Sequence, residues 1–206
     1  MTILPNHQIH LVEMKKCDEE EVPLAEKVGL AGLIIDAQPR LLGGVAKPER
    51  LIDSIKVFGR SMRCLSVPLA VTEQVPHKLG PTDQEVMEAC TGSLTLSKDS
   101  FSAFGCPGFE EWISRGRIEH LLLTGIETPI CVYLTAVDAV RHGLTVTILT
   151  DCVGCRRAED GKWALRKLEN LGCHLLPLES LLHAMLKSAK HEEFRSISAL
   201  VKDRMP

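Results

Sequence analysis

A cysteine stands where a buried strand is expected to give way to a helix, which is a place where a thiol can act as a nucleophile. The apolar run 118–123 predicts the strand, and Gly125 ends it. Thr128 and Pro129 are typical of a helix N-cap and a first helical residue. Cys131 then falls in the first helical turn, where backbone N–H groups lack intrahelical partners and the dipole favours an anion. We therefore expect its thiol to ionise more easily than a free cysteine, and the nearby N–H groups to suit an oxyanion. The alternative is a small apolar side chain in a core helix.

Charged side chains follow two other predicted strands. The continuous apolar run 30–35 predicts a central parallel strand and is followed by Asp36. The shorter run 94–97 is followed by Lys98. Ligands of open α/β sheets bind outside the carboxyl ends of the strands, so Asp36, Lys98 and Cys131 are expected to meet in one cleft. Each charged residue also has a plain alternative, Asp36 as a turn residue and Lys98 as a solvated surface residue.

Strand and helix patterns alternate along the chain, and they are the elements that would position these residues. The predicted strands cover about 30–35, 67–72, 94–97, 119–124, 144–149 and 173–176. The predicted helices cover about 48–65, 82–90, 107–115, 129–142, 158–171, 178–188 and 191–202. Such alternation predicts an α/β fold with three layers, α/β/α, around a central, mainly parallel six-stranded sheet.

Composition agrees with one soluble domain. The chain has 206 residues, 45% of them hydrophobic, which is enough for one sizeable core. A formal net charge of −3 gives no field that would attract nucleic acid or an anionic membrane, and no apolar run is long enough to span a bilayer. Residues 1–27 are acidic and contain no secretory apolar region, so we expect an N-terminal surface extension before a domain over 28–206.

Eight cysteines are scattered through the chain. Because no export signal is recognised in the sequence, we expect these cysteines to be reduced thiols. We therefore expect a cytoplasmic location, with mitochondrial association as the alternative. Cys152 and Cys155 form a C-x-x-C at the end of a predicted strand. They could be a redox pair, or half of a zinc site completed by Cys173 and His174. We favour loop positions that need only small residues, because a redox C-x-x-C would be expected to open a helix in a thioredoxin-like unit.

Short motifs occur along the chain in the order found in one family. They are Asp36-Ala37-Gln38, Thr72-Glu73-Gln74, Leu79-Gly80-Pro81-Thr82, Lys98 to Phe104 and Gly125 to Cys131, with Asp151, Arg156, 178–182 and 191–194 further on. In these motifs the chain resembles the isochorismatase-like hydrolases, in their cysteine hydrolase arm, and most of all the isochorismatase domain-containing proteins. The resemblance covers roughly residues 28–203.

The resemblance implies a catalytic triad of Asp36, Lys98 and Cys131. Asp36 would accept the thiol proton, while Lys98 would stabilise negative charge and help to keep Asp36 ionised. The backbone amides of Glu127 and Cys131 would hold the oxyanion, with a cis peptide bond before Glu127. The thiolate would attack an amide-like carbonyl, and water would then hydrolyse a thioester-like adduct. Gln38 either contacts the substrate or closes the loop, and both roles are open.

Further side chains at the same edge of the predicted sheet have two open roles each. Glu73 and Gln74 end another predicted strand and suit either substrate contact or loop hydrogen bonding. Phe101 and Phe104 suit either the wall of a pocket or the core.

Departures from known subgroups narrow the chemistry. Nicotinamidases of this superfamily carry an Asp-x-His element and a later histidine as metal ligands, whereas the corresponding segment 72–80 contains His77 alone. We therefore expect no metal and no other cofactor. True isochorismatases act on a vinyl ether without a cysteine nucleophile, so Cys131 argues against that reaction. Hydrolysis of a C–N bond in a small amide, ureido or imide compound remains.

Two rival functions are binding functions. Some members of this branch carry the label ribonuclease, and basic residues do cluster at Arg156, Arg157, Lys162, Arg166 and Lys167. Acidic residues interleave with them, which is typical of a solvated helix face, and one Tyr and two Trp give little for base stacking. We therefore expect a small-molecule substrate and no nucleic acid or membrane partner. The second rival is a catalytically idle oligomeric binding protein, and the family likeness favours a homo-oligomer in either case.

Overall fold

The sheet of this protein is wholly parallel. The computed structural model describes residues 29–204, so the expected extension over 1–27 and its boundary with the domain lie outside the described residues and stay predictions. The strands are β1 Leu30–Ile35, β2 Leu69–Gln74, β3 Leu94–Lys98, β4 His120–Ile126, β5 Thr145–Gly154 and β6 His174–Leu176. Their order across the sheet is β3-β2-β1-β4-β5-β6, and every neighbouring pair is parallel. The predicted six-stranded α/β fold is confirmed.

Helices connect the strands and cover both faces of the sheet. They are α1 Pro39–Leu42, α2 Pro48–Cys64, α3 Pro76–Leu79, α4 Gln84–Ala89, α5 Phe109–Arg115, α6 Tyr133–Arg141, α7 Ala158–Glu169, α8 Leu178–Leu186 and α9 Phe194–Lys202. A 3₁₀ turn covers Ala103–Gly105 and a π-helical turn covers Thr128–Val132. Within residues 29–204, no helix combines the length and the apolar character needed to cross a membrane.

Alternate residues of the strands feed two separate cores. Ile34 of β1 and Leu122 of β4 belong to the core that α2, α4, α8 and α9 cover. Leu33 and Leu123 belong to the core under α5, α6 and α7. Because both faces are buried, β1 is apolar throughout and all six of its residues are buried. This arrangement is the predicted three-layer fold.

The strand order reverses beside β1, and this places the functional residues. From β1 the chain builds outward through β2 and β3, then returns to add β4 on the other side of β1. In open α/β sheets such a switch point opens a crevice at the carboxyl ends of the strands. Gly125 of β4 lies opposite Ile35 at this point, with φ of +106°, and a Cβ there would lie 2.0 Å from the Ile35 carbonyl oxygen. Glycine thus allows the two strand ends to approach closely.

Candidate active site

Asp36 lies directly after β1, at the centre of a buried polar cluster. Its side chain is inaccessible to solvent, and its backbone adopts the left-handed conformation with φ of +51°, which aspartate tolerates. The Oδ1 atom accepts a hydrogen bond from Thr72 Oγ1 at 2.8 Å, and Oδ2 lies 2.7 Å from Lys98 Nζ. The thiol of Cys131 is also hydrogen-bonded to this carboxylate. The structure therefore brings the three predicted triad residues together.

Lys98 is a fixed cation rather than a solvated surface lysine. Its side chain is fully buried, and its ammonium group donates to Gln74 Oε1 at 2.6 Å as well as to Asp36. The carbonyl oxygens of Ser100 and Phe101 lie at 3.1 and 3.3 Å from the same nitrogen. Oxygen acceptors from the ends of two strands, β1 and β2, and from the loop after β3 therefore surround the charge and hold it in one position.

Cys131 lies in the π-helical turn that follows β4. The peptide bond between Ile126 and Glu127 is cis, as the resemblance implied, and the Glu127 backbone hydrogen-bonds to the Cys131 thiol. The turn begins after Glu127, so the prediction of Thr128 as the N-cap was wrong. The hydroxyl of Thr128 instead donates to the Gly154 carbonyl oxygen at 3.0 Å, which ties the turn to β5.

The pKa values of Cys131 and Asp36 differ from the expectation of an easily ionised thiol. Burial, followed by the negative charge of Asp36, raises the pKa of Cys131 to about 12, although Lys98 and the Glu127 backbone act in the opposite direction. Burial also raises the pKa of Asp36, and Lys98 lowers it, as predicted, without cancelling that effect. The prediction of a readily ionised thiol was wrong because the thiol is enclosed beside a carboxylate. The proton of the resting site therefore resides on sulfur.

Gln38 has hydrogen bonds to the backbone of its surroundings. Its Nε2 donates to the carbonyl oxygens of Gln74 at 3.1 Å and Gly80 at 2.5 Å, and its Oε1 accepts from the Gln74 amide at 2.8 Å. Of the two roles considered, these contacts correspond to loop closure. Glu73 likewise accepts from the Thr82 amide at 2.8 Å. Gln74 differs, because its side chain holds Lys98 and also lines the cavity described next.

A cavity of about 450 Å³ opens over the cysteine. Its floor contains Cys131 and Gln74, both buried, and apolar side chains form much of its wall. Phe101 belongs to that wall and is 58% exposed. Phe104 packs in the core instead, stacked on His142 at a centroid distance of 4.4 Å. The volume falls in the range of about 300–1,000 Å³ that is usual for small-molecule sites.

Arg156 occurs among the family motifs of the sequence, but no role in the site was predicted for it. Its Nε lies 2.5 Å from Glu127 Oε1, and both residues line the cavity. The sequence grouped it with the basic residues of a solvated helix face, but it precedes α7 and stands apart from them. Arg157 and Lys162 do fit that interpretation, since they pair with Asp160 and Glu159 on the surface. The position of Arg156 just after β5, the strand next to β4, was the available signal.

The C-x-x-C shows no disulfide in the structure. Cys152 is buried within β5, where burial and Asp151 raise its pKa, and Cys155 is half-buried beyond the strand end. The prediction of loop positions was therefore wrong for Cys152, which lies within the strand, whereas Cys155 does lie beyond the strand end. Among residues 29–204, no three His, Cys, Asp or Glu side chains are grouped in a way that could hold a metal ion. The expected absence of a metal remains a prediction.

Comparisons with known proteins agree with this fold. The family model described as the isochorismatase domain matches residues 31–180. Isochorismatase domain-containing protein 2A of Mus musculus is 30% identical over 174 residues, which cover 84% of this chain and 82% of that protein. The solved structure of MAR1 ribonuclease from Caenorhabditis elegans superposes with a TM-score of 0.82 at 25% identity, covering 88% of this chain and 93% of that one. The YcaC protein of Escherichia coli, described as an octameric hydrolase of unknown specificity, superposes with a TM-score of 0.82 at 18% identity, covering 88% and 90%. This chain belongs to the isochorismatase-like hydrolase family.

Proposed function

We propose that this protein hydrolyses the C–N bond of a small amide or ureido compound, with Cys131 as the nucleophile, Asp36 as the general base and Lys98 as the stabilising cation. The observation that carries the proposal is the buried contact between the thiol and a carboxylate that Lys98 and Thr72 hold in place. The ends of three strands bring these groups together beneath one cavity, which Cys131 lines. A nucleophile, an oriented base and a fixed cation in contact are the parts that covalent hydrolysis needs.

The raised pKa values favour proton transfer during attack rather than before it. With its pKa at about 12, the thiol is protonated at neutral pH. Asp36 is a stronger base than an ordinary aspartate because burial raises its pKa, and it lies within hydrogen-bond reach of the thiol. As sulfur bonds to the carbonyl carbon, the thiol proton moves to Asp36. The negative charge then moves onto the carbonyl oxygen, where the amides of Glu127 and Cys131 are proposed to hold it.

The second half of the reaction returns each group to its resting state. Collapse of the tetrahedral intermediate breaks the C–N bond, and the departing nitrogen takes the proton from Asp36. Asp36 then accepts a proton from a water molecule that attacks the thioester carbon. The C–S bond breaks, and sulfur regains the proton. The fixed ammonium group of Lys98 favours the ionised form of Asp36 each time that form recurs.

Gln38 is proposed to act as a positioning residue in this scheme. Its three backbone hydrogen bonds join the loop after β1 to the end of β2 and to Gly80. They keep in register the two strand ends that carry Asp36 and Gln74. We assign the oxyanion role to the Glu127 backbone, while the Glu127 side chain faces Arg156.

The experiment compares two buried cysteines near the same charges. Small amides and ureides are screened against wild type, Cys131→Ala and Cys106→Ala, and the protein is quenched in acid for intact mass analysis. Cys106 is a suitable control because it is also buried and burial raises its pKa. The charges of Lys98 and Asp36 act on it as well, but it does not line the cavity. We expect turnover and an acyl adduct in wild type and in Cys106→Ala, and neither in Cys131→Ala. Full turnover by Cys131→Ala would refute the proposal.

A nucleic-acid function has one specific observation in its favour, the likeness to the MAR1 ribonuclease of C. elegans. Two of the basic residues at this helix argue against it here, since Arg157, just before α7, and Lys162, within it, pair with acidic neighbours. RNA binding of nanomolar strength that falls steeply with salt would support the rival function. A protein without enzymatic activity is the other rival, and selective reactivity of Cys131 would count against it.

Assembly and location complete the proposal. We propose a homo-oligomer, which the octameric state of the E. coli protein supports by analogy of fold. Light scattering of the purified protein tests it directly. A cytoplasmic location, with mitochondrial association as the alternative, agrees with seven free cysteines among the described residues.

A further inference from the structure

A second cavity lies beside β5, and it is lined by Asp151, a motif residue that the candidate active site does not use. Its volume is about 300 Å³. The loop before α2, the first two turns of α2, the last residues of β5 and Arg204 form its wall. It shares no lining residue with the cavity over Cys131, so the two are separate sites.

The charges on the wall of the second cavity are mostly positive. Lys47, Arg50 and Arg204 line it, and among the described lining residues Asp151 supplies the only carboxylate. Both oxygens of Asp151 are occupied, because Oδ1 accepts from the Leu178 amide at 2.8 Å and Oδ2 lies 2.7 Å from Arg204 Nη1. The ion pair is largely shielded from solvent, with 26% of the Asp151 side chain and 19% of the Arg204 side chain exposed. Asp151 therefore holds Arg204 at the wall, and three cations against one anion leave an excess of two positive charges.

The other two cations have no partner of their own. Lys47 and Arg50 are exposed, and neither side chain donates a hydrogen bond or forms an ion pair within residues 29–204. Glu49, which lies between them in the sequence, does not line the cavity. An ammonium group and a guanidinium fork both bind phosphate oxygens well. The unused donors of this cavity are therefore suited to an anion.

We propose that the second cavity binds a small phosphate monoester, with the phosphate group held by Lys47, Arg50 and Arg204. A phosphate monoester carries a charge of about −1.5 to −2 at neutral pH, which matches the excess of two positive charges, whereas a carboxylate carries only one negative charge. The buried side chains of Val45 and Leu51 line the same cavity and suit the hydrocarbon part of such a ligand. The volume lies at the lower end of the range of about 300–1,000 Å³ for small-molecule sites, so the ligand is compact.

The proposed ligand takes no part in the proposed hydrolysis. Neither Cys131 nor Asp36 lines the second cavity, so a phosphate ester bound there does not meet the nucleophile or the base. The site is nevertheless close to the turn that carries Cys131, because Gly154 lines the cavity and its carbonyl oxygen accepts the hydrogen bond from Thr128. The inference goes beyond the proposed function and can be tested without it.

Two small aromatic anions test the charge preference of the cavity. The full chain is titrated with phenyl phosphate and with phenylacetate by isothermal calorimetry, at about pH 7.5, where the phosphate ester is almost fully doubly charged. All titrations use one low ionic strength, because salt weakens contacts with exposed charges. We expect saturable binding of phenyl phosphate and about fivefold weaker binding of phenylacetate, which lacks one charge. No saturable binding of phenyl phosphate, or equal affinity for the two anions, would overturn the inference.

Two arginine variants of the same helix test the position of the site. Arg50 and Arg60 are both exposed on α2, but only Arg50 lines the second cavity. We expect Arg50→Gln to raise the Kd of phenyl phosphate about tenfold, which is about 1.4 kcal/mol, and the matched control Arg60→Gln to leave it nearly unchanged. Addition of Lys47→Gln to Arg50→Gln should weaken binding further. An unchanged Kd in Arg50→Gln, or an equal rise in Arg50→Gln and Arg60→Gln, would contradict the proposal.

A third variant distinguishes the second cavity from the cavity over Cys131. Exposed cations line that cavity as well, Arg156 among them, and they could attract the same anion. Arg156→Gln should retain the wild-type Kd for phenyl phosphate if the anion binds beside β5. Weaker binding in Arg156→Gln together with unchanged binding in Arg50→Gln would place the anion over Cys131 and refute the inference. Circular dichroism of each variant before titration confirms that it is folded, which we expect for Arg50→Gln because its side chain has no partner within residues 29–204.

Discussion

Replacement of Gly125 by alanine should both destabilise the fold and displace the proposed catalytic groups. The φ of Gly125 is +106°, and its Cβ would lie 2.0 Å from the Ile35 carbonyl oxygen, where contacts under 3.0 Å essentially never occur. The ends of β1 and β4 must therefore separate by about 1 Å. The unfavourable φ costs about 1–2 kcal/mol and the overlap about 1–3 kcal/mol. We expect Gly125→Ala to lower the free energy of unfolding by about 2–5 kcal/mol.

Gly172→Ala is the matched control for this variant. Gly172 has φ of +91°, and a Cβ there would meet no atom within 4 Å. It therefore carries the cost of the φ angle, about 1–2 kcal/mol, without the overlap. Urea unfolding of wild type and both variants is followed by circular dichroism and fitted with a common m-value. It gives the change in the free energy of unfolding that each substitution causes.

A functional measurement accompanies the stability measurement. Asp36 follows β1 directly and the turn with Cys131 follows β4, so separation of the strand ends should alter the pH dependence of Cys131 alkylation in Gly125→Ala. Gly172→Ala should retain the wild-type profile. Equal destabilisation by the two substitutions would refute the idea that close approach at Gly125 positions the site.

Three further predictions concern buried charges. Lys98→Met should lower the free energy of unfolding by about 3–5 kcal/mol in urea because Asp36 loses its cation, whereas Lys56→Met, in a solvent-exposed pair, should change it far less. Asp36→Asn should move the midpoint of Cys131 alkylation below about 12 by removing a charge that raises the thiol pKa, while hydrolysis is lost. Burial, and after it the charge of a second histidine, lowers the pKa of His120 to about 4. The free energy of unfolding of wild type should therefore fall by about 3 kcal/mol as pH falls from 6.5 towards 4. The free energy of unfolding of His120→Gln, measured by urea titration at several pH values, should not show this fall.

The strand ends that carry the chemistry could be predicted from the sequence because burial leaves a plain pattern. A strand covered on both faces is apolar throughout, and the first charged residue after it marks its end, as Asp36 does after Ile35. The helix α2 was predicted for a related reason, since Leu51, Ile55 and Phe58 recur at helical spacing and are all buried. The family motifs then predicted which of these strand ends belong together.

Other features depend on contacts that a linear pattern does not encode. The strand β5 continues through Gly154, although polar residues from Thr150 onward interrupt the apolar run, because Gly125 and Ile126 of β4 pair with its far end. The direction of the Cys131 pKa shift could not be predicted either, since it depends on how deeply the turn is buried. Arg156 was quoted as a motif residue, but its place in the site was not predicted because its partner, Glu127, lies at a different strand end.

The position of Lys98 links the reactivity of the enzyme to the opening of one edge of its sheet. The strand β3 is one of the two edge strands of the sheet, and of its five residues only Lys98 is buried. The ammonium group reaches past β2 to Asp36, so it fastens the edge strand to the middle of the sheet. Fluctuations that fray this edge cost less than global unfolding and withdraw the cation. A buried Asp36 left alone would take up a proton and could no longer serve as the proposed base, so the proposed reaction would stop in the frayed state. Activity should therefore vanish on heating before the core melts, and a substrate bound over the site should delay both events.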